Sequence, residues 1–193
     1  RVRSSAASDV YKRQYNACKE EGIKPIIGCE VYVAPRTRFD KTHELDHTPY
    51  HLVLLCENHI GYQNLIKLVS IGYIDGFYKK PRIDFYTLSA HSEGLICLSA
   101  CLGGEIPQQL LHGDYEGALH TALKYKQLFG KDRFYIEVQN HGMKEQLQIL
   151  PLLIRLAKEA DVSLVATNDC HYEKKEDAKM QNVLVCIQTN RIV

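Results

Sequence analysis

Short apolar runs alternate with stretches of helical period along almost the whole chain, and nothing else in the sequence constrains the fold as strongly. The runs are "PIIGCEVYVA", "YHLVLLCE", "GLICLSACLGG", "RFYIEVQNHG" and "SLVATNDCHY". A strand buried on both faces reads as one unbroken apolar run, because neither side of the pleat meets water. Between the runs lie "GYQNLIKLVSIGY", with Leu65, Ile66, Val69 and Tyr73 at helical spacing, then "YEGALHTALKYKQLFG" and "KEQLQILPLLIRLAKEADV". Such alternation predicts an α/β domain whose parallel sheet is covered by helices on both faces.

Local punctuation agrees with this division. Gly22 suits the residue just past a helix ending in "YNACKEE". Asp114 is a good N-cap for the helix closed by Gly130, since its side chain can accept from an unpaired amide of the first turn. In "KEQLQILPLLIRLAKEADV" the predicted buried face is Leu147, Leu150, Ile154 and Ala157, and Pro151 predicts a kink or a late start. "KEDAKMQNVLVCIQ" reads as a final helix. The polar segment 36–48, with two histidines, reads as a loop. Residues 1–14, "RVRSSAASDVYKRQ", have no apolar period and resemble a translated adaptor scar; the fold is expected over 15–193, without its natural beginning.

Composition excludes some classes of function. With 193 residues the chain is long enough for one well-filled core, and a net charge of +1 gives no bulk attraction to nucleic acid or membrane. No apolar run approaches the roughly 18 residues of a membrane span. The seven cysteines are an odd number without a CxxC pair, which points to free thiols and a reducing, cytoplasmic compartment.

Polar residues gather where strands end, the usual location of chemistry in parallel α/β folds. They are Cys101; Asn140 and His141; Asn168, Asp169 and His171. Glu30 interrupts one apolar run and His51 opens another. In an extended chain Asp169 and His171 point to one side and Cys170 to the other, so the pair could reach a common metal. The same residues have plain structural readings: Asp169 as a cap, His171 hydrogen-bonded at the surface, Glu30 in an ion pair, His51 and Cys101 as core groups.

Six segments, in order and at suitable separations, carry a resemblance: "GIKPIIGCEVYVAPR", "YHLVLLCENHIGYQNLIKLVSIGY", "GFYKKPRID", "LICLSACLGGEIP", "YIEVQNHG" and "VATNDCHY". Together they resemble the N-terminal polymerase-and-histidinol-phosphatase (PHP) domain of the bacterial DNA polymerase III alpha-subunit family, over essentially all of 15–193. The resemblance implies a distorted (β/α)7 barrel, here incomplete at its N-terminus. It also implies a cluster of up to three divalent metal ions (zinc, manganese or magnesium) held by Glu30, His51, Cys101, Asp169 and His171. Glu30, His51, Asp169 and His171 would be catalytic. The family's opening H-x-H and T-D-H segments have no counterpart here.

The chemistry implied is metal-dependent phosphoesterase or 3′–5′ exonuclease proofreading beside a DNA polymerase. The polymerase's own carboxylates would lie beyond Val193. DNA, the other holoenzyme subunits and the sliding clamp are the implied partners, with no membrane. Lys79, Lys80 and Arg82 would face phosphates, with Tyr78 available for stacking, and His141 would line the pocket. Two other readings stand beside this one: a non-catalytic module that stabilises the polymerase or docks a proofreading subunit, and a free-standing PHP phosphoesterase.

Overall fold

The computed structural model describes residues 3–192, so the first two residues of the segment read as a scar lie outside the described chain. Eight α-helices, one 3₁₀ turn and six strands alternate along the described residues. The order is α1 (Arg3–Glu20), β1 (Gly28–Val33), α2 (His43–Asp46), β2 (Tyr50–Cys56), α3 (His59–Ile74), β3 (Arg82–Ile83), α4 (Phe85–Ala90) and β4 (Leu95–Leu98). There follow α5 (Glu105–Leu111), α6 (Tyr115–Phe129), β5 (Phe134–Val138), α7 (Lys144–Glu159), β6 (Ser163–Ala166), a 3₁₀ turn (Lys175–Asp177) and α8 (Ala178–Thr189). The fold is α/β, as the alternation predicts, and barrel-like, as the resemblance implies. The sheet is open, in the order β3-β1-β2-β4-β5-β6.

The sheet is mixed rather than parallel. β2 runs antiparallel to both β1 and β4, while the pairs β1–β3, β4–β5 and β5–β6 are parallel. The cause is the polar segment after β1. It carries no helix long enough to cross the sheet, so the chain turns back at the end where β1 finishes. That return is fastened from within. Asp46 is fully buried, and its carboxylate accepts from Arg36 Nε at 3.0 Å and from the Thr42 amide at 2.8 Å. Because β2 is reversed, its first residues share an edge of the sheet with the last residues of β1, β4, β5 and β6.

Helices α3 to α7 cover one face. Val31, Val33, Leu52, Leu54, Leu95, Cys97, Phe134 and Ile136 point into it and are almost wholly excluded from solvent. From the helices come Leu65, Leu68, Leu110, Ala118, Ala122, Tyr125, Ile149, Leu153 and Leu156. The faces read from sequence are rotated. In α7 the inward residues are Ile149, Leu153, Leu156 and Ala157, whereas Leu147 and Ile154 are about half exposed. In α3 Leu65 and Leu68 are buried, and Ile66 and Tyr73 face out. Helix α7 starts at Lys144 without delay, with exposed Pro151 inside it; the carbonyl that Pro151 cannot serve lies on the wet side. Asp114 caps α6 by accepting from the Gly117 amide at 2.9 Å, and Gly130 ends that helix at φ 85°.

The last apolar run departs most from expectation. β6 is an edge strand, and Ser163, Leu164 and Ala166 are exposed. At the other end of the chain, α1 continues through the segment read as a scar, and residues 11–22 are exposed apart from Cys18.

Candidate metal centre

The pleat of β1 puts Val31 and Val33 under the helices, so Glu30 and Tyr32 emerge on the opposite face. The antiparallel register pairs Tyr32 with His51, which places the imidazole on that same face, diagonal to Glu30. Tyr32 meets the His51 ring edge-on, with centroids 5.2 Å apart and planes at 85°. Glu30 is therefore no misfit in a buried strand: its side chain is 38% exposed on an open face.

The third member comes from the loop after β4. Ala100 turns the chain with φ 65°, and the His51 amide donates to the Gly103 carbonyl at 2.9 Å, docking the loop on the first residues of β2. Gly103 lies directly against the imidazole: a Cβ there would come within 2.9 Å of its Cγ. The loop delivers Cys101 Sγ to 3.5 Å from His51 Nδ1, and Glu30 Oε1 approaches the same nitrogen at 3.3 Å. All three donor atoms lie within 4.8 Å of one another, the one such group among the described residues.

These separations can be tested against a metal. With bonds of about 2.0–2.1 Å to nitrogen or oxygen and about 2.3 Å to sulfur, tetrahedral geometry sets donors about 3.3 Å apart for N and O, and about 3.6 Å for N and S. The donor set fits zinc or a similar divalent ion in both spacing and chemistry. Without an ion the three groups satisfy one another. The neighbouring Cys101 sulfur and the Glu30 carboxylate push the His51 imidazole up to about 10, against the effect of burial. The Glu30 carboxyl is held below its usual range, chiefly by the His51 hydrogen bond, with smaller contributions from the charges of His51, His171 and Lys80.

Asp169 and His171 are not brought into this group. Strand β6 stops at Ala166, and Asp169 sits at φ 46°, so the extended-chain alternation that would aim both side chains one way does not apply. His171 Nδ1 instead donates to the Asp169 carbonyl oxygen at 2.7 Å, and lies 4.0 Å from Asp169 Oδ1. His171 remains close enough for its charge to act on Glu30.

The basic loop divides in two. Lys80 leans over the Tyr32 ring, 5.3 Å from its centroid, on the face that carries Glu30. Lys79 is exposed, at φ 59°. Arg82 does not face phosphate as expected. It is fully buried, and its guanidinium donates to the carbonyls of Gly76, Asp46, Arg38 and Asp40 at 2.8–3.2 Å. A two-residue strand too short to read from sequence, β3, carries it inward. His141 follows β5 and is held by Gln146, whose Oε1 accepts from the His141 amide at 2.8 Å and whose Nε2 lies 3.0 Å from Nδ1. Sequence reasoning missed Tyr32 as a wall of the site; the strand period from Glu30 was the available signal.

An open α/β sheet with glutamate, imidazole and thiol converging at one edge is the arrangement expected of a PHP domain. The pattern described as PHP domain matches residues 8–141, and the chain belongs to this family. Among its relatives is the DNA polymerase III subunit alpha of Treponema pallidum (strain Nichols), 50% identical over 175 residues that cover 90% of this chain and 15% of the relative. The same-named subunits of Borreliella burgdorferi and Thermus aquaticus are 48% and 46% identical, each over 91% of this chain and 15% and 14% of their own length. The chain thus spans about a seventh of these relatives. No described helix is long and apolar enough to cross a membrane.

Proposed function

We propose that the chain is the PHP portion of a replicative DNA polymerase alpha subunit and removes nucleotides from DNA 3′ ends by metal-dependent phosphodiester hydrolysis. The observation that carries this reading is the convergence of Glu30, His51 and Cys101 within 4.8 Å. A divalent ion held by these donors would supply Lewis acidity and acidify a bound water. Glu30 and, once it ligates, Cys101 would bring negative charge to hold such an ion, and Tyr32 and the Gly103 loop keep the imidazole in place. Lys80, beside Glu30, would neutralise backbone phosphate, with exposed Lys79 giving weaker, longer-range attraction. Asp169 and His171, in the segment after β6, would complete further metal positions together with residues outside this chain. DNA, the holoenzyme subunits and the sliding clamp are the partners on this reading, in the cytoplasm.

The test is a 3′-end degradation assay on single-stranded DNA with the full-length polymerase this reading implies, its polymerase carboxylates inactivated. Loss of nuclease on chelation, recovery with Mn²⁺ or Zn²⁺, and a fall of at least about tenfold in Glu30→Gln and Asp169→Asn are expected. Unchanged degradation in both variants would sink the catalytic reading. One observation favours a second reading, a module without hydrolysis: Asp169 and His171 stand apart from the triad. Absence of any metal-dependent nuclease in that protein, with normal polymerisation by its polymerase-active counterpart, would select it.

A further inference from the structure

Glu137 is the one strand carboxylate among the described residues that is buried, and it is no member of the triad. The pleat of β5 sends Phe134 and Ile136 under the helices and Glu137 to the opposite face, where it pairs in register with Val165 of β6. It is 5% exposed. A buried carboxylate is costly unless its oxygens are occupied, and among the described residues no cation pairs with this one. Its Oε1 accepts from the Thr167 hydroxyl and from Gln139 Nε2, the latter at 3.1 Å, and the same amide donates to Thr167 Oγ1 at 3.1 Å. Its Oε2 has no partner.

Two surroundings give this arrangement a direction. Thr167 is the first residue after β6, its amide donating to the Val138 carbonyl at 3.2 Å, and it stands two residues before Asp169. On the other side Glu137 lines a small cavity of about 10 Å³ together with Ala100, Cys101, Gln139 and Gln146. That is room for about one water molecule. A water there would face Glu137, Gln139, Gln146 and Cys101 across a wall completed by Ala100, Leu102, Pro107, Ile149 and Leu153.

We propose that Glu137 is a positioning residue of the metal centre. It fixes the segment from Thr167 to His171 through Oε1, and steadies the Cys101 loop through a buried water in the shared cavity. The proposal rests on the metal-binding reading of the triad and adds a residue that acts on both of its flanks without being a ligand. Glutamine at 137 would keep an acceptor for Thr167 and a polar group toward the cavity; alanine would remove both.

The experiment uses the full chain, with Co²⁺ as the metal probe and amide hydrogen exchange as a second readout. Glu137→Ala should weaken Co²⁺ binding by about tenfold or more, measured by the thiolate-to-cobalt charge-transfer band. It should also speed exchange selectively at Thr167, whose amide donates to the Val138 carbonyl, leaving the amides of Leu54, Leu98 and Ile136 protected. Glu137→Gln should restore both properties, and Thr167→Val should reproduce the exchange change alone. Even acceleration across all amides with an unchanged cobalt band in Glu137→Ala would overturn the proposal and leave a purely structural role. So would wild-type affinity together with wild-type exchange. Should the wild-type chain give no cobalt band, the metal reading itself fails, while the exchange of the Thr167 amide still decides whether Glu137 positions that segment.

Discussion

In the metal-free protein, replacing His51 should change how stability varies with pH. The imidazole stands 3.3 Å from Glu30 Oε1 and 3.5 Å from Cys101 Sγ, and these neighbours raise it from 6.5 to about 10. A group whose folded pKa exceeds its unfolded value contributes stability that is complete below the unfolded pKa. That stability drains away as pH rises toward the folded one. The window therefore opens near 6.5 and closes near 10. Between pH 6.5 and 8.5 the full linkage would be about 2.3 kcal/mol, the slope reaching about 1.36 kcal/mol per unit once the unfolded imidazole is neutral. The His51 and Glu30 side chains are 31% and 38% exposed, so solvent screens the pair. About 1 kcal/mol is the expected loss. Urea unfolding with chelator present, at both pH values, measures it for wild type and for His51→Gln. Taking the difference between the two proteins cancels the other titrating groups. Equal pH slopes in the two would refute the reasoning, and a wild type more stable at pH 8.5 than the variant's trend allows would reverse its sign.

Three further outcomes follow from the same geometry. Cys101→Ser should abolish the thiolate-to-cobalt band, and wild-type Co²⁺ affinity should rise with pH by about tenfold per unit for each proton displaced, as calorimetry in buffers of different ionisation enthalpy would show. Arg82→Met should cost about 3–5 kcal/mol in urea unfolding, because four carbonyls, in two buried and two part-buried hydrogen bonds, lose their donor. Gly61→Ala should destabilise the chain by about 1–3 kcal/mol, since the new Cβ would lie 1.8 Å from the Gly94 carbonyl oxygen and the start of α3 must shift.

The strands that lie in mid-sheet are legible in the sequence because their runs are mostly apolar, broken only by Glu30 in β1 and Glu137 in β5 apart from polar residues at their ends: β1, β2, β4 and β5 fall inside the quoted segments. The orientation of β2 is not legible. An apolar run has no arrow, and only the short, helix-poor return through 36–48 hints that no crossover takes place. The faces of α3 and α7 mislead for a related reason, as both helices carry more apolar residues than they bury. Leu147 and Ile154 satisfy the period as well as Leu153 does, and only the packed structure chooses between them. The triad is named residue by residue through a family resemblance, while periodicity alone leaves Glu30 looking like an error in a strand. The geometry of Asp169 and His171 is out of reach, because a strand's end cannot be read to the residue and one left-handed residue breaks the alternation beyond it.

Gly103 brings no chemistry to the centre, yet it decides whether there is one. With a Cβ separation of only 2.9 Å from the imidazole, any side chain at 103 would swing His51 off its shared line with Glu30 and Cys101. The site can thus be silenced by a substitution that leaves all of its donor atoms in the sequence. A gene could keep every recognisable ligand and still encode an inert domain, so a glycine is as informative as a histidine when a sequence of this kind is judged competent.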